Sequence, residues 1–285
     1  MPWVFVLIWS TGFVVARFGM PHAPPMSFLA LRYALSFGCF LAWIVLARVE
    51  WPQGRAQWLH LAVVGALIHA TYLGGVWSAV KAGIGAGTVA LLVGLQPVLT
   101  ALWTAVTAAS PGQARVSSRQ WFGLTLGLLG LTLVVWRKLG GGEVTAWNLS
   151  LAVFALVGIT VGTLYQKRFV APCDVRSASA VQLLAAFAVT APLATLETEP
   201  IVWHSHLVGA MAWSVLVLTL GGSSLLYMLL QRGAAMRVTS LMYLVPPCTA
   251  LMAWGLFGES FTALMLLGMF LTVSGVALVV RAPVR

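Results

Sequence analysis

The sequence predicts an all-α polytopic membrane protein with ten transmembrane helices in two inverted-topology five-helix repeats. Three observations carry that prediction: an apolar composition, a regular spacing of apolar runs, and self-similarity between the two halves of the chain. Of the 285 residues, 60% are hydrophobic and 8% charged, and mean hydropathy is +0.96. That leaves too little charge to cover a water-facing surface, so a soluble domain is excluded. The basic excess, 16 Lys and Arg against 6 Asp and Glu, is spread between apolar runs. A nucleic-acid binder would gather it on one face, so no nucleic-acid partner is expected.

Apolar runs fall at 2–18, 28–47, 59–80, 84–109, 121–136, 149–166, 178–196, 207–230, 238–257 and 263–280. Each approaches the length of a helix crossing about 30 Å of hydrocarbon, although the first, fifth and sixth are short. Strands of a transmembrane barrel would alternate polar and apolar residues, and these runs are apolar all round. With a cytoplasmic N-terminus, the inside loops and tail hold Arg48, Arg55, Arg115, Arg119, Lys167, Arg168, Arg176, Arg232, Arg237, Arg281 and Arg285. The outside loops hold only Arg17, Lys81, Arg137 and Lys138. Basic residues concentrate on the cytoplasmic side of short loops, so both termini are expected in the cytoplasm.

An offset of 150 places Gly12 on Gly162, Arg17 on Lys167, Ser27 on Ser177 and Arg32 on Gln182. Further along, Pro97 aligns with Pro246, Gly123 with Gly268 and Gly130 with Gly275. The matches keep their order along both halves, which divides the chain into repeats 1–142 and 143–285. Five spans is an odd number, so the second copy enters the bilayer with the opposite orientation.

The opening run lacks the basic start and small-residue cleavage pattern of a signal peptide and is expected to be retained. Cys39, Cys173 and Cys248 are scattered, without metal-ligand spacing, so neither a disulfide framework nor a metal is expected. Gly83-x-Gly85-x-Gly87 lacks the strand context and Lys-Ser/Thr ending of a phosphate loop. With no paired acids or nucleophile elbow either, the chain is read as no enzyme, and no cofactor is expected.

Polar and aromatic residues in mid-span require a reason, because unpaired polar groups are costly in hydrocarbon. The candidate substrate route comprises Ser10, Thr11, His69, Tyr72, Trp77, Gln96, Thr100, Trp103, Tyr165, Gln182, Tyr227 and Tyr243. Gln96, Thr100 and Trp103 recur at four and three residues, which puts them on one helical stripe. The plainer reading makes these residues polar contacts between packed helices. An aromatic, weakly polar cavity suits an amino acid, whose side chain can stack on rings while amides and hydroxyls satisfy its ends. Arg32 has two readings, a snorkelling Arg near a helix end or an electrostatic element of a gate. Pro97, Pro246 and Pro247 interrupt the helical ladder, either as simple kinks or by exposing carbonyls to the route.

Four segments carry a family resemblance: Trp9-Ser10-Thr11-Gly12, Leu31-Arg32-Tyr33-Ala34, the run around Leu95-Gln96-Pro97, and PPCTALMAWGLFGESFTALMLLGMFLTVSGVAL. In these the chain resembles the EamA-type drug/metabolite transporter superfamily, most of all its YddG-type exporters of aromatic and other amino acids. The first half departs from the pattern, with Ala109-Ser110-Pro111 where the second has Gly258-Glu259. The resemblance implies a secondary exporter of the bacterial inner membrane, working by alternating access on small molecules such as amino acids; a monomer in the lipid bilayer is the expected state. Multidrug or other metabolite export is the alternative. A non-transporting membrane enzyme or scaffold is the alternative from another class.

Overall fold

A computed structural model describes residues 2–107, 118–140, 142–222, 225, 244–259 and 262–280, and among these the fold is all-α. Helices α1 (Pro2–Gly19), α2 (Pro25–Ala47) and α3 (Arg55–Lys81) are followed by α4 (Ala86–Val93) and α5 (Gln96–Thr107). Then come α6 (Ser118–Gly140), α7 (Ala146–Phe169), α8 (Val175–Ala194) and α9 (Ser205–Gly221). Helices α10 (Val245–Phe257) and α11 (Ala263–Val280) complete the described chain. By length and composition α2, α3, α7 and α8 are long and apolar enough to cross a membrane. The other apolar helices are shorter, such as Trp3–Gly19 and Val245–Phe257.

Several helices begin where local chemistry meets the needs of their first N–H groups. Pro25 occupies the first turn of α2, where its absent N–H costs nothing. Thr145 and Asn148 form a reciprocal capping box at the start of α7. Asp174 caps α8 by accepting from the Arg176 N–H at 2.9 Å. The sixth apolar run, read as short, is a helix of 24 residues. Its last turn carries Lys167 and Arg168, charged residues that hydropathy alone assigns to a loop.

Proline chemistry divides the fourth run. Its helix breaks at Gly94 and Leu95, and Pro97 sits in the first turn of α5, where a missing N–H is tolerated. Pro246 and Pro247 likewise lie in the first turn of α10 rather than in a helix interior. A methyl group on Gly94 would come within 2.8 Å of Pro246 Cγ, so the break in one half of the sequence packs against a proline of the other.

Two further helices depart from regular α geometry. Gly65–Leu73 within α3 and Trp213–Gly221 within α9 are π-helical, each nine residues long. Thr219 Oγ1 donates to Ser214 O at 2.8 Å, a reach of five residues that the wider coil allows. The first π segment packs on α7 and α8, and the second on α2.

Small residues set the closest approaches. A Cβ on Gly268 would stand 2.6 Å from Gly130 O, and one on Gly275 would stand 2.5 Å from Gly123 O. Helices α6 and α11 therefore cross backbone to backbone, as glycine-lined helices do in lipid. Large apolar side chains such as Leu46, Trp136 and Phe270 face outward, as a bilayer requires and water would not.

Candidate functional site

A group of buried polar and aromatic side chains gathers around Arg32. This residue lies two turns into α2 and is only 7% exposed, so it does not snorkel to an interface. Its Nη2 and Nε both donate to Thr219 Oγ1, at 3.1 and 3.4 Å, from the π segment of α9. Tyr33 and Tyr72 are buried beside it, within reach of its charge, and His69 also feels that charge. Tyr33 donates its hydroxyl proton to His69 O at 2.7 Å, and the two rings meet edge-on at 6.0 Å. Gln182 on α8 shares a side-chain hydrogen bond with His69.

Four elements thus converge: α2, the π segment of α3, α8 and the π segment of α9. The backbones close tightly there, since a Cβ on Gly65 would collide with the main chain of Gln182. Among the described residues no carboxylate stands within ion-pair distance of Arg32. Arg32 is thus a buried guanidinium whose neighbours are hydroxyls, an imidazole ring and an amide.

The remaining expected route residues divide. His69, Tyr72 and Gln182 belong to this cluster. Gln96 donates from Nε2 to Thr163 Oγ1 at 3.0 Å, joining α5 to α7, and Thr100 Oγ1 donates to Gln96 O at 2.9 Å. Trp103, on the same stripe, is 54% exposed and turned away from the packed interior. Ser10 is fully buried in a joint between α1 and α10: its Oγ donates to Val6 O at 2.7 Å, and its carbonyl accepts from Thr249 Oγ1 at 3.1 Å. Thr11 accepts from Trp213 Nε1 at 2.9 Å, tying α1 to α9. Trp77, 1% exposed, stacks on Phe28 at 4.3 Å and packs in the core. Tyr165 meets His60 Nδ1 at 2.9 Å near the end of α7, away from Arg32. Tyr227 and Tyr243 lie outside the described residues. Tyr33 and Thr219 were not among the expected residues: Tyr33 adjoins Arg32 in sequence, whereas Thr219 is one hydroxyl in the apolar run Val215–Leu220.

The bundle has two unlike ends. At one, acidic side chains hold loops together across the chain. Glu197 accepts from the N–H groups of Met26 and Ser27, each at 2.8 Å, at the start of α2. Lys81 pairs with Glu199 at 2.6 Å and donates to Met20 O at 2.9 Å. Glu143 and Glu259 accept from the Gly85 and Ala86 N–H groups at 3.2 and 2.9 Å, beside the start of α4. At the opposite end a cavity of 580 Å³ opens between the α2–α3 and α7–α8 linkers, lined by Arg48, Trp51, Gln57, Cys173 and Asp174 among others. There Gln57 bridges to the Ala171 main chain, and the Asp174–Arg176 pair closes at 2.7 Å. The hydrogen bonds and charge of Arg176 hold the Asp174 carboxyl below its ordinary pKa.

Comparison with known proteins places this geometry. The EamA-like transporter family pattern matches residues 3–136 and again residues 146–281. The chain is 26% identical over 279 residues to the uncharacterized inner membrane transporter YedA of Escherichia coli K12, covering 96% of this chain and 87% of that protein. It is 25% identical over 287 residues to a probable amino-acid metabolite efflux pump of Salmonella typhimurium, covering 95% and 90%. The uncharacterized transporter YvbV of Bacillus subtilis is 24% identical, covering 96% and 88%. A solved crystal structure shares the fold, with a TM-score of 0.64 at 19% identity over 98% of this chain and 95% of that one. With its apolar multi-helix bundle and the family pattern on both halves, the chain belongs to the EamA-like transporter family, as a multi-pass transporter of the inner membrane and no enzyme.

Proposed function

We propose that this transporter exports neutral amino acids, aromatic ones among them, from the cytoplasm by alternating access. Two inverted five-helix halves, 1–142 and 143–285, supply ten spans with both termini in the cytoplasm. The acid-tied end of the bundle then faces outward, and the end with the 580 Å³ cavity faces the cytoplasm. The observation that carries the reading is Arg32: a buried guanidinium partnered by the Thr219 hydroxyl, at the crossing of helices from both halves. A substrate carboxylate fits that fork, and Tyr33, His69 and Tyr72 offer rings to an aromatic side chain.

Other observations support the two-half architecture. The family pattern occurs twice, and the two π segments begin 148 residues apart, at Gly65 and Trp213. With Gly123 equivalent to Gly268 and Gly130 to Gly275, the Gly130–Gly268 approach maps onto the Gly275–Gly123 approach, as a two-fold axis requires. Two relatives named as probable amino-acid metabolite efflux pumps support the substrate class.

The test is flux across sealed proteoliposomes for phenylalanine, threonine, methionine and a cationic dye, with wild type and Arg32→Gln. Saturable amino-acid flux that Arg32→Gln removes is the expected result. Dye flux exceeding amino-acid flux, or wild-type rates in a folded Arg32→Gln protein, would overturn the reading.

A further inference from the structure

Three histidines that the transport reading leaves unused meet at the acid-tied end. His22 lies in the α1–α2 loop, His204 is the residue before α9, and His206 is in the first turn of α9. One ligand nitrogen of each lies within 4.8 Å of the others. The His22 and His204 rings stack at 4.5 Å and 13°, and His206 stands 4.7 Å from His204 and 6.1 Å from His22.

The backbone fixes this grouping. The Val202 N–H donates to His22 O at 2.8 Å and the His204 N–H donates to Val202 O at 2.8 Å, so the two loops are laced together behind the rings. Phe18 stands edge-on to His206 at 5.7 Å and walls one side. His204 and His206 are exposed and His22 half-buried, which leaves an approach from water. Lys81 is the cation near His22, and Glu199 pairs with it at 2.6 Å.

We propose that His22, His204 and His206 bind a borderline-soft divalent transition ion of the Zn²⁺ class, and that the bound ion clasps the two halves together at this end and slows transport. Zn²⁺ takes imidazole nitrogens at about 2.0–2.1 Å, which needs them roughly 3.3 Å apart in a tetrahedral set. From separations within 4.8 Å, rotation of exposed side chains suffices to close the gap. Water completes the fourth position. Ligation at His204 releases the His206 N–H from His204 Nδ1, a 3.2 Å bond at an exposed helix end where water substitutes for it.

His22 belongs to the first half of the chain and His204 and His206 to the second. An ion held by all three adds affinity only to the state in which this end is closed, so it withdraws the open state from the cycle. This part rests on the proposed alternating-access reading, whereas metal binding itself does not.

The experiment has two arms on the full-length protein. Calorimetric titration of detergent-solubilised wild type with Zn²⁺ is expected to show one saturable site, lost in His22→Ala and in His206→Ala. Mg²⁺, which prefers oxygen ligands, is expected to give no heat of binding. Zn²⁺ added to the side of sealed vesicles that exposes His204 is expected to slow wild-type flux by about 5- to 150-fold, the usual range for an allosteric effector. His22→Ala is expected to carry substrate at the wild-type rate and resist Zn²⁺. No saturable site in wild type, or undiminished binding in His22→Ala, would overturn the metal site. Binding without slowed flux in a transporting wild type would overturn the clasp. A wild type that binds Zn²⁺ and moves no substrate would count against the transport reading, with the binding arm still deciding the site.

Discussion

The two π segments occupy matching places in the sequence and face opposite chemistry. Gly65–Leu73 lies against α8, with Gly65 on the Gln182 backbone and His69 on the Gln182 side chain. Trp213–Gly221 lies against α2, where Thr219 receives Arg32. One crossing is neutral and the other carries a full charge. In both cases the wide coil packs against a neighbouring helix, and Thr219 uses its wider turn to bond Ser214 O. Under the proposed function, the single guanidinium makes one crossing the place where a substrate carboxylate is recognised. A duplicated architecture can therefore diverge in electrostatics while keeping its contacts.

The largest effect expected is on that charge. Removing it in Arg32→Gln is expected to weaken binding of carboxylate substrates by about 2–5 kcal/mol, the range for stripping one partner from a buried charge pair. Substrate protection against thermal unfolding in detergent measures this. The reciprocal Gln182→Arg variant puts like charges at both crossings, and failure to restore binding in the double Arg32→Gln, Gln182→Arg protein would show that the second crossing is no substitute.

Thr219→Val comes next. It keeps the shape and deprives the guanidinium of its hydroxyl, at a cost of about 1.5–3 kcal/mol for a bond to a charged group. Thr219→Ser is expected to recover most of it. At the neutral crossing, Gly65→Ala drives a methyl into the Gln182 main chain and is expected to cost about 1–3 kcal/mol through overpacking. Wild-type thermal stability in that variant would contradict the close approach.

Away from both crossings, Thr163→Val removes a neutral bond to Gln96 and is expected to cost about 0.5–1.5 kcal/mol, with substrate binding unchanged. Asp174→Ala uncaps α8 at a cost of about 1 kcal/mol. Because the Asp174 pKa is lowered in the folded protein, its contribution is present above the ordinary carboxylate range. It is lost as pH falls through the lowered value. The wild-type advantage over Asp174→Ala in thermal scans should therefore shrink on acidification and hold near neutrality.

Much of this was legible in the residues. Apolar runs located the helices, and the sixth came out longer than read because Lys167 and Arg168 continue its helix. Arg32 and Gln182 were visible as polar residues in matched positions. Trp103 and Trp77 show the limit of such reasoning: residue type and periodicity mark a mid-span aromatic or a shared helix face and leave open what it meets. Trp103 turned outward, and Trp77 found Phe28 in the core.

The sequence by itself determined the membrane class, the helix order and the likeness of the two halves. Those properties depend on composition and local periodicity, which any stretch of chain carries alone. Only the tertiary structure decided that Thr219 answers Arg32 and that His22 joins His204 and His206. Both depend on which helices cross and how closely. In this molecule the π segment of α9 brings Thr219 to Arg32, and the Val202–His22 main-chain bond brings the histidines together, across 180 or more positions of sequence.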